Sequence, residues 1–185
     1  MDTRNRLIKD GIKPGSILTS GTPSFPIALK YKGFEGLDHR VGPGTTVFWD
    51  NASEEFGEKG FKFAATVLTR VLSRPTNHNF TCDAGSKAIA AEVSWPVATV
   101  LNKHKIFEGR VPSEEHFPFT AFEGNAPKAG SLVELVPKHV CPTVNLAEKA
   151  LFLEGNTPLA IVDVGARAHA TGPFTHKPFN MKKHL

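Results

Sequence analysis

Phe61-Lys62-Phe63-Ala64-Ala65-Thr66-Val67-Leu68-Thr69-Arg70-Val71 sets Phe61, Phe63, Ala65, Val67, Thr69 and Val71 at every second position. Successive side chains of a strand point to opposite faces, so this set shares one face. The other face carries Lys62, Thr66 and Arg70 with Leu68, which predicts a half-buried strand. The rest of the chain repeats that grammar. Fourteen prolines, sixteen glycines and fourteen phenylalanines, with few long stretches of helical period, predict many short strands and turns. The expected fold class is mainly β.

Upstream of this strand, Asn51 to Gly60 reads as a polar acidic loop, Thr45-Thr46-Val47-Phe48-Trp49-Asp50 as a strand, and residues 26–45 as a connecting segment. Residues 1–12 read as the tail of a polar helix that Lys13-Pro14-Gly15-Ser16 breaks. Downstream, Asn79 to Ala88 starts as a strand and ends in a turn at Gly85. Asp83 and Lys87 in that turn either pair with each other or line a site. Ala129 to Val136 leads into a further strand, with Glu134 on its solvent side. Ala150–Leu153 and Leu159–Val164 form two more around the turn Glu154-Gly155-Asn156. A disordered tail is expected from Thr171 to Leu185.

The 185 residues suit one domain of ordinary size. A hydrophobic content of 40% and a charged content of 22% are those of a folded globular protein. The net charge of +4 is spread along the chain, with no basic run interleaved with aromatics, so a nucleic-acid partner is not expected. No apolar run reaches ~18 residues and the start lacks a signal-peptide core, so neither a membrane partner nor secretion is expected. The compartment implied is the cytoplasm, or an organelle matrix. There Cys82 and Cys141, the two cysteines, are expected free or metal-bound rather than joined.

Chemistry concentrates in Val136-Pro137-Lys138-His139-Val140-Cys141-Pro142-Thr143-Val144-Asn145. Were this stretch extended, His139 and Cys141 would share a face with Cα atoms roughly 6.5 to 7 Å apart. An imidazole and a thiolate at that reach suit zinc, and two protein ligands leave positions open for water or substrate. The plain alternative is a buried cysteine acting as a small hydrophobe, and spacing alone does not decide. The run Ile17 to Phe25 ends in small hydroxyl residues and a glycine, which either cradle a phosphate or form an ordinary turn. Ser113-Glu114-Glu115-His116 offers no capping box, and read alone His116 is a surface or satisfied histidine rather than a ligand.

Four segments taken together are more specific than any one. Thr19-Ser-Gly-Thr-Pro-Ser, Cys82-Asp-Ala-Gly-Ser-Lys-Ala, Ser113-Glu-Glu-His and Val136-Pro-Lys-His-Val-Cys-Pro-Thr-Val-Asn stand in the order and spacing of the D-serine dehydratase-like and D-threonine aldolase family. The resemblance covers roughly residues 10–170. That family is similar to alanine racemase: a (β/α)8 barrel holding pyridoxal 5'-phosphate (PLP) on a lysine, then an antiparallel β-barrel or sandwich domain. The resemblance implies that residues 1–28 are the end of the barrel and residues 29–170 the β-domain. It implies further that Ser20, Gly21 and Thr22 bind the cofactor phosphate and that His139 and Cys141 bind the metal. His116 would be a neighbour of the site and a candidate catalytic proton carrier. In D-threonine aldolases an aspartate stands where Cys141 stands here, so the cysteine implies the zinc-dependent D-serine dehydratase branch or relatives of unassigned substrate.

By the same resemblance the activity is that of a lyase on D-serine, D-threonine or a related D-β-hydroxy amino acid, by dehydration or aldol cleavage. The family's PLP lysine lies N-terminal to any segment matched here, and Lys87 is not its equivalent. The expectation is a chain inactive by itself, as a fragment, a split-enzyme subunit or a retained domain. It would act as a homodimer or with a barrel-bearing partner chain. A second hypothesis is a catalytically silent β-domain serving as a binding or assembly module. A third, weaker, is a stand-alone zinc hydrolase that recruits Asp83 and His116.

Overall fold

The computed structural model describes residues 2–57, 60–92, 95–103 and 106–168. They fall into two compact units that divide between Thr143 and Val144.

The first unit begins with the polar helix α1 (Asp2–Lys9), as expected. A β-α-β element follows: strand β1 (Ile17–Thr19), helix α2 (Phe25–Lys30) and strand β2 (His39–Val41). The two strands pair in parallel, Ile17 opposite His39 and Thr19 opposite Val41. Parallel neighbours need a crossover, and α2, with Pro26 in its first turn, supplies it. Residues 26–45 are therefore more than a connector.

Thr45–Asp50 is not the strand expected from its side chains. Gly44–Val47 forms a 3-10 turn, the N–H groups of Phe48 and Trp49 both donate to the Thr45 carbonyl, and Trp49 takes φ +55°. These local bonds use the donors a ladder would need. Asn51–Glu54 is a short helix, α3, rather than loop, because Asp50 caps it by accepting the Ser53 N–H at 2.8 Å.

Six strands then build one antiparallel sheet: β3 (Val67–Ser73), β4 (Asn79–Cys82), β5 (Ala98–Val100), β6 (Phe107–Gly109), β7 (Phe117–Ala121) and β8 (Leu132–Pro137). Their order is β5-β8-β3-β4-β7-β6. Regular pairing in the opening stretch starts only at Val67, with Thr69 and Val71 buried between exposed neighbours. The sheet curls until its edges meet. A Cβ at Gly109 on β6 would lie 3.2 Å from the Ala98 carbonyl oxygen of β5 and 2.7 Å from the Phe117 ring, so glycine allows near-closure into a barrel.

The barrel interior is apolar. Val71, Phe80, Cys82, Val97, Val100, Phe117, Phe119 and Leu135 are all buried in it. Phe80 and Phe119 stack with centroids 5.1 Å apart, and Phe117 leans on Phe119 at 4.4 Å. Glu134 is exposed on β8, as its apolar flanks implied.

The strand expected through His139 and Cys141 is also corrected. Pro137 ends β8, since it offers no N–H for further pairing, and helix α4 (Val140–Leu146) begins three residues later. Pro142 stands in the first turn of α4, where its missing N–H breaks no helical bond.

The second unit is a hairpin of β9 (Lys149–Glu154) and β10 (Thr157–Asp163) around Gly155-Asn156, as expected. Its register shifts between Pro158 and Ala160, where proline withholds a donor. The tail from Thr171 to Leu185 lies outside the described residues.

Candidate functional site

The turn carrying His139 and Cys141 is fixed mainly by residues far away in sequence. The Lys138 N–H donates to the Val97 carbonyl at 2.7 Å, and the Lys138 carbonyl accepts from the Ala52 N–H at 3.0 Å. Asp50, 1% exposed, takes the Val140 N–H on Oδ2 at 2.9 Å while Oδ1 caps α3. One carboxylate thus satisfies N–H groups at the starts of two helices. Charge-assisted bonds of this kind are the strong ones, and the buried carboxylate would be costly without them. The Thr143 hydroxyl closes the turn by donating to the His139 carbonyl at 2.9 Å.

His139 and Cys141 themselves stay accessible. His139 is half-buried, and its Nδ1 lies 2.8 Å from Glu92 Oε1. Cys141 is exposed and unbridged, with Sγ 3.8 Å from Thr45 Oγ1. Cys82 is the opposite kind of cysteine. It is fully buried, and burial first, then the nearby charge of Asp83, pushes its thiol up to about 12. It remains protonated and behaves as a core hydrophobe. Both cysteines are free, in line with the sequence reading.

Thr45 ties this turn to the loop after β1. Its N–H donates to Thr22 Oγ1 at 3.1 Å, while its hydroxyl faces Cys141. Ser20 takes φ +66°, and its carbonyl accepts from the Gly42 N–H. Thr22 is buried, with its oxygen already accepting from Thr45, so the Thr22 hydroxyl proton is what remains for a phosphate. The loop sits at the C-terminal end of a parallel strand, where α/β folds gather phosphate-binding groups.

The segment from Cys82 to Glu92 joins the other two motifs. Its Ser86 and Lys87 N–H groups donate to the carbonyls of Ser113 and Glu114, at 2.9 and 3.1 Å. Gly85 makes that approach possible, for a Cβ there would lie 2.4 Å from the Glu114 carbonyl. At its far end the Ala90 N–H donates to Thr143 Oγ1 at 3.2 Å, and Glu92 reaches His139.

Asp83 and Lys87 do not pair with each other. Asp83 accepts from the Thr69 hydroxyl and the Arg70 N–H, which hold its carboxyl below the usual range in that order of size. Lys87 pairs with Glu115 and Glu114, which raise its pKa. His116 is exposed, its N–H donating to Ser113 Oγ at 3.2 Å. Among the described residues no hydrogen bond joins His116 to His139 or Cys141.

Beside the turn, Lys138 is buried and its ammonium pairs with Glu55 on the rim of a cleft of about 360 Å³ that also exposes Asn51 and Thr99. Among the described residues no group of three or more His, Cys, Asp or Glu side chains is gathered tightly enough to enclose a metal ion. His139 and Cys141 are both accessible, and an imidazole nitrogen and a thiol sulfur are donor types that suit zinc; the extended strand that would have set them on one face is absent.

Thr45, Asp50 and Glu92 are the site residues the sequence reading missed. Asp50 had a local signal, an acidic cap three residues before Ser53. Thr45 and Glu92 had none, lying 96 and 47 residues from their partners.

Residues 64–153 match the family described as "Putative serine dehydratase domain". The chain is 26% identical over 164 residues to a D-threonine aldolase of Arthrobacter sp, covering 87% of this chain and 42% of that protein. Among solved structures it is similar to D-threonine aldolase from Filomicrobium marinum, with a TM-score of 0.76 at 25% identity over 89% of this chain and 45% of the other. It shares its fold with D-threo-3-hydroxyaspartate dehydratase from Delftia sp. HT23, with a TM-score of 0.67 at 18% identity over 87% and 47%. Solved forms of a D-threo-3-hydroxyaspartate dehydratase include a histidine-to-alanine mutant and a metal-free cysteine-to-alanine mutant, the altered positions standing two apart. The chain spans less than half the length of these relatives.

Proposed function

We propose, from the premise that this chain carries a serine dehydratase-like domain of the D-serine dehydratase-like and D-threonine aldolase family, that it supplies the metal-binding part of a lyase active site. The substrate class is D-β-hydroxy amino acids, of which D-serine and D-threonine are the simplest. His139 and Cys141 would hold a zinc ion, and Ser20, Gly21 and Thr22 the phosphate of PLP. When bound, those groups supply polarisation of the substrate β-hydroxyl and electron withdrawal from its Cα.

The observation that carries this reading is the one-residue bridge at Thr45. Its N–H binds Thr22 and its hydroxyl faces Cys141, so the loop read as a phosphate cradle and the thiol read as a ligand are neighbours. Adjacency of those two groups suits the reaction, because the β-hydroxyl sits on the carbon next to the Cα that the cofactor acts on, whether the Cβ–O or the Cα–Cβ bond is broken. The altered histidine and cysteine of the dehydratase stand two positions apart, as His139 and Cys141 do, and the cysteine mutant was solved in a metal-free form.

The chain's own residues have distinct tasks. Asp50 and Thr143 hold the turn, Thr45 sets the spacing to the loop, and the accessible faces of His139 and Cys141 leave room for substrate. His116, exposed in its turn, is assigned proton transfer by the family resemblance alone. Residues 1–28 are read as barrel end and residues 29–170 as β-domain, with the apolar Ile8, Ile12, Leu18 and Ile27, exposed here, facing further barrel.

The test is elemental analysis of the purified chain after dialysis against zinc. About one zinc ion per chain is expected, and none in the His139→Ala/Cys141→Ala double variant. Equal zinc in both would end the proposal.

A second reading, a β-domain acting as an assembly module, draws on one observation: Leu151, Phe152, Leu153 and Ile161 of the hairpin are each more than half exposed. A chain that binds no zinc yet self-associates would favour it.

A further inference from the structure

We infer that Glu92 is a positioning residue for the metal centre, fixing which nitrogen of His139 meets the ion; this rests on His139 and Cys141 being the ligands proposed above. An ionised carboxylate only accepts hydrogen bonds, so the 2.8 Å contact with Glu92 Oε1 places the imidazole proton on Nδ1. A neutral imidazole has one N–H. Its lone pair is therefore on Nε2, and Nε2 is the nitrogen presented to a metal. The carboxylate also makes that nitrogen a stronger donor and holds the ring plane, as carboxylates behind metal-bound histidines do.

The contact is built into the fold. Glu92 lies two residues beyond Ala90, whose N–H donates to the Thr143 hydroxyl, and the same hydroxyl donates to the carbonyl of His139. Thr143 is buried and so bolts the backbone bearing Glu92 to the backbone bearing His139. Both ends of the pair stay about half exposed, at 40% for His139 and 49% for Glu92, so the imidazole is reachable from solvent. Two roles compete with this one. A plain surface ion pair would leave metal affinity untouched, and a directly ligating Glu92 would put its own oxygen on the ion.

The experiment measures zinc affinity of the full chain by competition with a chelating indicator, for the parent, Glu92→Ala, Glu92→Gln and the His139→Ala/Cys141→Ala control. Cobalt spectra at saturating metal report the thiolate bond. Glu92→Ala is expected to bind zinc about 10- to 100-fold more weakly while keeping the cobalt–thiolate band. Glu92→Gln is expected to recover most of that loss, because an amide oxygen still accepts from Nδ1–H. Affinity of Glu92→Ala within about twofold of the parent would overturn the inference. So would Glu92→Gln binding no better than Glu92→Ala, the mark of a direct ligand. A parent that binds no better than the double-variant control would instead bring down the underlying reading of the two ligands.

Discussion

The six-stranded barrel and the β9–β10 hairpin are both antiparallel and both rich in Leu, Val and Phe, yet they dispose of their apolar residues in opposite ways. In β7, Phe117, Phe119 and Ala121 are buried while Pro118 and Thr120 between them are half-buried. In β9 and β10 no residue is buried, and Leu151, Phe152, Leu153, Leu159 and Ile161 are each more than half exposed. The difference lies in closure. A sheet that curls onto itself gives every alternate side chain an interior, whereas two strands alone have none and are marginal in water. Apolar content is thus a poor guide to where stability resides.

The largest expected effect contrasts those two regions directly. Phe117→Ala empties the barrel centre and is expected to cost about 3–5 kcal/mol in urea unfolding, whereas Phe152→Ala in the hairpin should stay within about 0.5 kcal/mol. Similar losses at both sites would show that the hairpin is packed in solution, and the contrast would fail.

Next in size is Asp50→Ala, which strands the N–H groups of Ser53 and Val140 together. A loss of about 2–4 kcal/mol is expected in the same assay, with weaker zinc binding that Phe152→Ala does not reproduce. Unchanged zinc affinity would mean the His139 turn holds without its cap.

The smallest concerns a buried hydroxyl on β3. Thr69→Val removes the hydroxyl that does most to hold Asp83 below the usual carboxylate range. A carboxyl whose pKa is lowered by folding adds stability above its unfolded value, about 3.9, and loses it as pH falls through the lower folded value. The variant should therefore trail the parent by up to about 1 kcal/mol at neutral pH, limited by screening at exposed Asp83, and the gap should close in acid. A gap that persists in acid would assign the loss to packing.

How much was legible in the sequence follows the same division between local and distant causes. The polar helix of residues 2–9, the strand at Asn79–Cys82 and the hairpin with its Gly155-Asn156 turn were readable, because their periodicity and turn residues lie side by side. Three barrel strands and the short β2 escaped notice. His39–Val41, Ala98–Val100 and Phe107–Gly109 have three residues each, too few to show a period, and Pro118 disguises Phe117–Ala121. His139 and Cys141 were singled out by residue type, but their backbone was misread. The turn that holds them is decided by Asp50, 90 residues away from Val140. Thr45–Asp50 went wrong for the reverse reason, since β-favouring side chains were outweighed by close-range hydrogen bonds to the Thr45 carbonyl.

Gly85 bears on portability. The two backbones that meet there leave no space even for a methyl group, so the motif segments on either side fit together only as a matched pair. A designer who wished to graft His139, Cys141 and Glu92 onto another scaffold could not lift the ten residues around the histidine. The smallest transferable unit includes Asp50, Thr45, the Gly85 seam and Thr143, brought together from four separate stretches of chain, and what must travel with the side chains is a gap of the right width.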